Sequence, residues 1–84
     1  MSLYVIGLYK DGDKNINHFV EEINFRNHYY KEFKNTTCLY TDNLQYALKI
    51  KSKSLAEELC KVTQLCMPKL KVEVLTIENA WYKL

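Results

Sequence analysis

An α+β fold, a small antiparallel sheet packed by one main helix, is what this sequence predicts, and three stretches carry the prediction. Leu3–Tyr9 and Leu70–Glu78 read as strands, and Ser54–Cys66 between them reads as an amphipathic helix too short to stand alone in water. A chain of 84 residues is one domain with a thin core. Its 48% hydrophobic and 26% charged residues are ordinary for a globular protein.

Leu3–Tyr9, LYVIGLY, is apolar on both alternating faces, the mark of a strand covered on both sides. Gly7 inside it signals a bulge or a close backbone approach. Asp11-Gly12 then predicts a hairpin turn, because both residues tolerate positive φ.

Lys14–Phe33 fits two patterns. Ile16, Phe19, Val20 and Ile23 lie on one helical face, whereas Phe19, Ile23, Phe25 and Tyr29 suit a strand. The preceding turn and the many Asn tip the balance toward strands; a helix here would instead give the ferredoxin-like order βαββαβ. Tyr29–Phe33 and Cys38–Thr41, joined by Lys34-Asn35-Thr36-Thr37, form a second expected hairpin.

Thr41-Asp42-Asn43 before Leu44, Tyr46, Ala47, Leu48 and Ile50 predicts a turn or two of helix capped by Asp42. In the main helix, Ser54 and Glu57 make a capping box, and Leu55, Leu59, Val62 and Cys66 recur at i, i+4, i+7 and i+11, with Ala56, Cys60 and Thr63 beside them, as a continuous apolar stripe. Pro68 ends it near Cys66. Leu70–Glu78 alternates as a strand, and Ala80, Trp81 and Tyr82 fold the tail back onto the domain or meet a partner.

Composition narrows function mainly by exclusion. No apolar run approaches the ~18 residues a membrane span needs, which places the protein in the cytoplasm, without a membrane partner. Three cysteines, an odd number, oppose a disulfide framework and read as small apolar residues; Cys60 and Cys66 fall on different sides of the helix. No metal and no cofactor is expected. His18, His28 and the cysteines lack zinc spacing, and Asp11-Gly12-Asp13-Lys14-Asn15 resembles a calcium loop only in part, with Ile16 where that loop needs glycine. No catalytic residue is expected either, since no histidine is anchored beside Cys38 by any motif and so short a chain has little room for a deep site.

Two sets of side chains remain as candidates for partner binding. The net charge is only +2, yet Leu44–Lys71 sets six lysines against Glu57 and Glu58. Lys49, Lys51, Lys53, Lys69 and Lys71, near Tyr40 and Tyr46, could follow a phosphate backbone or hold a small anionic ligand, or else form a solvated face guarding sheet edges. The second set is aromatic: Tyr29, Tyr30, Tyr46, Trp81 and Tyr82 are of the types that carry interface energy, and the chain has more aromatics than its core can hide. They favour a protein partner, or a second copy in a homodimer, over nucleic acid.

Tyr40-Thr41-Asp42-Asn43-Leu44-Gln45-Tyr46-Ala47-Leu48-Lys49-Ile50, followed by Ser52 or Ser54 and Ala56-Glu57-Glu58-Leu59, resembles a pattern of small accessory proteins from phages and prophages of low-GC Gram-positive bacteria. The resemblance covers Leu39 to Leu59, and Lys14–Asn27 departs from it. It implies a host-takeover or anti-defence inhibitor that binds a host protein or complex, such as a CRISPR effector, in the host cytoplasm without catalysis.

Overall fold

The computed structural model describes residues 2–10, 12, 16, 18–25 and 36–82. Four strands form one antiparallel sheet: β1 (Tyr4–Lys10), β2 (His18–Phe25), β3 (Thr36–Thr41) and β4 (Leu70–Thr76), in the order β3-β2-β1-β4. The main helix α1 (Lys53–Cys66) enters between β3 and β4, and a short helix α2 (Ile77–Tyr82) follows β4. The α+β arrangement is the predicted one, and His18–Phe25 adopts the strand alternative, so the ferredoxin-like order does not occur. Tyr29–Phe33 lies outside the described residues; β3 pairs with β2 and begins at Thr36, inside the expected turn.

β1 is central, as its two apolar faces require. Val5, with Phe19 of β2 and Leu75 of β4, packs on one face against Ile16, Leu44, Ala47 and Ala80. Ile6 and Leu8, with Val20, pack on the other against Ile50 and Ala56, and half-buried Leu59, Val72 and Val74 complete that layer. Gly7 is a close approach rather than a bulge. A Cβ there would lie 3.0 Å from Ile16 Cγ2 and 3.2 Å from Leu75 Cδ1. Gly12, in the turn after β1, has φ 90°, the positive value that Asp-Gly predicts.

Among the described residues, β1 and β2 pair at Gly7–Phe19 and Leu8–His18. Beyond that point β2 bulges at Glu21, between Val20 and Glu22. The chain from Leu48 to Ile50 fills the gap: the Leu48 amide donates to the Val20 carbonyl (2.9 Å), while Ile50 and Tyr4 exchange two hydrogen bonds of 2.8 Å. Leu44 and Ala47 before this crossing serve one core, and Ile50 and Ala56 after it serve the other. The chain thus passes from one face of the sheet to the opposite face through its middle.

Both predicted caps shift. Asn43, not Asp42, caps the 3-10 turn Leu44–Tyr46, its Oδ1 accepting from the Gln45 amide at 2.9 Å. Ser52, not Ser54, caps α1, its Oγ accepting from the Leu55 amide at 3.2 Å. Ser52 is the cap because its backbone is still extended (φ −98°, ψ 125°) just beyond the Ile50 bridge, so Ser54 already lies inside the helix.

The buried face of α1 is also rotated from the predicted stripe. Ala56 and Thr63 are fully buried, whereas Leu55 is 48% exposed. Small residues at the point of closest approach let the helix lie low on the sheet, and the Thr63 hydroxyl is satisfied by donating to the Leu59 carbonyl at 2.8 Å. Pro68 ends the helix at Cys66 as expected. Ile77 and Glu78, read as strand, instead open α2.

Ser52→Ala should cost about 1 kcal/mol of stability through the lost cap, and Ser54→Ala much less. Phe19→Ala should cost about 3–5 kcal/mol, because Phe19 is fully buried between the strands and the 3-10 turn. Urea unfolding of the three variants checks both; equal losses for the two serines would return the cap to Ser54.

Candidate functional site

The early end of α1 fixes the first candidate. Because the helix stops at Cys66, the strand ends beyond it are uncovered on the face that α1 packs. Leu8 and Lys10 of β1, His18 of β2, Tyr40 of β3 and Leu70 of β4 surround a hollow there with Tyr9 and Met67, with a volume of about 590 Å³. The His18 and Tyr40 rings meet edge to face, centroids 5.5 Å apart at 89°. The floor is apolar and the rim carries an ammonium, an imidazole and a phenol. Such a corner suits a flat or anionic group; of its lining, the sequence pointed only to the tyrosines as binders, because residues from all four strands converge there and no linear motif records that.

The second candidate lies on the opposite face. Asn43, Leu44, Gln45 and Lys49 from the turn region and Ile77 and Trp81 from α2 line a hollow of about 490 Å³. Ala80 is fully buried and Ile77 packs on the core, which fixes the rotation of α2. One residue further round, Trp81 therefore faces outward and is 65% exposed. Tyr46, 64% exposed, stands on the adjoining turn.

The lysines do not form one cluster. Lys49 is committed to the fold: its Nζ donates to the carbonyls of Leu44 (2.8 Å), which also accepts from the Ala47 amide, and Gln45 (2.6 Å). Lys51 and Lys53 stand at the start of α1, and Lys69 and Lys71 beyond its end. A helix of 14 residues puts roughly 20 Å between these pairs, more than a Debye length in physiological salt. Proximity in sequence was undone by the helix. Lys53 instead lines a third hollow with Glu57 and Glu73, and Lys71 lies in register with Tyr9, near the corner.

Of the aromatic set, Trp81 lines the second hollow, and Tyr46 follows its lining residue Gln45 in the turn. Tyr29, Tyr30 and the Tyr82 side chain lie outside the described residues, as does most of the Asp11–Asn15 loop. Among the described residues no three His, Cys, Asp or Glu side chains gather as metal ligands, and no helix is long and apolar enough to cross a membrane.

Cys38 lies on β3 two residues from Tyr40 and is half-buried. Burial, reinforced by the neighbouring Cys66, pushes the Cys38 thiol from its ordinary 9.0 up to about 11. Cys60 is raised too, by burial and then by the charge of Glu73.

Comparisons with protein-family models, with curated proteins and with solved structures find no match to the chain.

The raised Cys38 thiol makes stability depend on alkaline pH with a definite sign. Between the unfolded value of 9.0 and the folded value of about 11, the folded state holds a proton that the unfolded state releases. This contribution is therefore full below pH 9.0 and is lost as pH rises through about 11. Chemical denaturation across that window should show stability falling, and Cys38→Ser should flatten the fall; an identical slope in the variant would contradict it.

Proposed function

We propose that the chain is a non-enzymatic binding module whose partner is a protein, docked on the face of Trp81 and Tyr46. The observation that supports it is the presentation of Trp81. An indole left largely in solvent costs apolar hydration, yet the short helix bearing it is seated through Ala80 and Ile77, so the ring is held out without sharing in the core. Tyr46 is held out similarly, on a turn closed by the Asn43 cap and the Lys49 ammonium. Two rigidly mounted aromatics beside a hollow with apolar Ile77 and a rim of Asn43, Gln45 and Lys49 have the make-up of a binding hot spot. Little ordering entropy would be lost on docking. An inhibitor that occludes a host protein is the form of this function that the resemblance over Leu39 to Leu59 suggests.

A second function, binding of nucleic acid, is favoured by the corner of Lys10, His18 and Tyr40 with Lys69 nearby, a cation and aromatic pairing suited to a base and its phosphate. The two use opposite faces, so mutations separate them.

Trp81→Ala should weaken capture of the protein partner by about 2 kcal/mol or more, roughly thirtyfold, with an unchanged melting temperature. Capture by the wild-type chain should survive nuclease and moderate salt. Capture that is lost with nuclease, falls steeply with salt and depends on Lys10 and Tyr40 but not Trp81 would replace the protein partner with nucleic acid.

A further inference from the structure

We propose that a second copy of this chain docks on the outer edge of β4, the two β4 strands pairing antiparallel about a two-fold axis at Val72 and joining the two sheets into one. The direction of the β4 backbone follows from the ladder. Tyr4 spends its amide and carbonyl on Ile50, on the β2 side of β1, so Val5, Gly7 and Tyr9 turn theirs toward Leu75, Glu73 and Lys71 of β4. The alternate residues Leu70, Val72 and Val74 therefore point their backbone groups out of the sheet. Leu70 bears this out. Its amide donates to the Met67 carbonyl (3.2 Å), and its carbonyl accepts from Gln64 Nε2 (2.7 Å). Among the described residues, nothing occupies the outward amides and carbonyls of Val72 and Val74.

Sheet edges are ordinarily blunted by a bulge, a proline or a covering segment. β4 pairs with β1 in unbroken register from Leu70 to Thr76 and contains no proline. Beside Val74 and Thr76 a hollow of about 500 Å³, bounded by Lys53 and Glu57 of α1, leaves the edge uncovered.

Charge selects a second copy as the occupant. Only residues of like backbone direction can oppose each other, so the middle of β4 can meet itself centred on Val72, Glu73 or Val74. Centring on Glu73 sets two carboxylates face to face, and centring on Val74 sets Glu73 against apolar Leu75. Centring on Val72 places Lys71 of each copy opposite Glu73 of the other. The two Val72 residues then exchange both hydrogen bonds, and each Val74 amide meets the other copy's Leu70 carbonyl, which has a second lone pair beyond the one given to Gln64. A carboxylate has about four lone-pair sites, so Glu73 receives the ammonium while keeping the interaction it makes within its own chain. The result is an isologous interface, the same patch on both copies.

The proposal rests on the β4 edge alone, and its test uses only this chain. Sedimentation equilibrium of the wild-type protein should show a concentration-dependent dimer. Lys71→Glu and Glu73→Lys each set like charges opposite one another twice, so each variant alone should dissociate about tenfold more readily or worse. Mixed in equal amounts, the two variants restore both opposite-charge pairs and should form a heterodimer as tight as the wild-type pair. Val72→Pro removes an outward amide without touching the β1 ladder and should also weaken the dimer, with circular dichroism reporting that the variant is folded. A wild-type chain still monomeric at about 1 mM, where even a millimolar Kd would register, overturns the proposal. So does a dimer indifferent to both charge reversals, as one formed through the Trp81 face would be, or a mixture of the two variants that associates no better than either alone.

Discussion

The two hydrogen bonds between Tyr4 and Ile50 are the constraint on which the rest of this structure depends. A strand as apolar as β1 must be covered on both faces, and the described residues offer a single long helix. The remaining cover is the segment before that helix, which buries Leu44 and Ala47 on one face and then crosses to place Ile50 and Ala56 on the other. A crossing through a sheet would orphan backbone groups unless they were paired. Tyr4, Ile50, Leu48 and Val20 pair theirs, and the bulge at Glu21 opens the gap that makes room.

From this crossing both candidate surfaces follow. It sets where α1 begins, hence Ser52 as cap, and Pro68 sets where the helix ends, so the far corner of the sheet is left open with residues from all four strands around it. On the other face the 3-10 turn cannot move without pulling Leu44 and Ala47 from the core. Lys49 reinforces it by binding the carbonyls of Leu44 and Gln45. Trp81 and Tyr46 are thus mounted on parts that the core itself holds rigid. The same lysine that would attract a polyanion is already used to close a turn, so its donors are spent on the Leu44 and Gln45 carbonyls.

What could be read from the chain was whatever a short window encodes. The alternation in Leu3–Tyr9, the stop at Pro68 and the turn at Gly12 are local, and each is found where the residues place it. Errors arose where tertiary packing overrode a local signal. Ser54 with Glu57 satisfies the rule for a cap, but the Ile50 bridge fixes the preceding chain so that Ser52 is the last extended residue. Leu55 fits the apolar stripe better than Ala56 by hydrophobicity, but a helix lying close to a sheet prefers the smaller side chain inward. Thr63, which the sequence places beside the apolar stripe, is buried there because its hydroxyl is satisfied within its own helix. The lysine set shows another limit: residues grouped in one stretch of sequence are spread to the two ends of the helix.

The resemblance over Leu39 to Leu59 has a physical source in the same crossing. Thr41 Oγ1 accepts from the Asn43 amide, Asn43 caps the turn, Leu44, Ala47 and Ile50 are buried in succession, and Ser52 caps the helix. A chain that must leave an edge strand, seal one face, cross and seal the other is held to this order of cap, apolar triplet and cap. The pattern therefore reports how such a sheet is covered, and any chain solving the same problem would write it. The residues that the crossing leaves unconstrained are different in kind. Nothing in the packing calls for an indole at Trp81, where α2 needs only Ala80 and Ile77 to be seated, nor for a phenol at Tyr46, whose turn is closed by its neighbours. Side chains that are large, costly to expose and unnecessary to the fold are the ones on which the proposed protein partner rests.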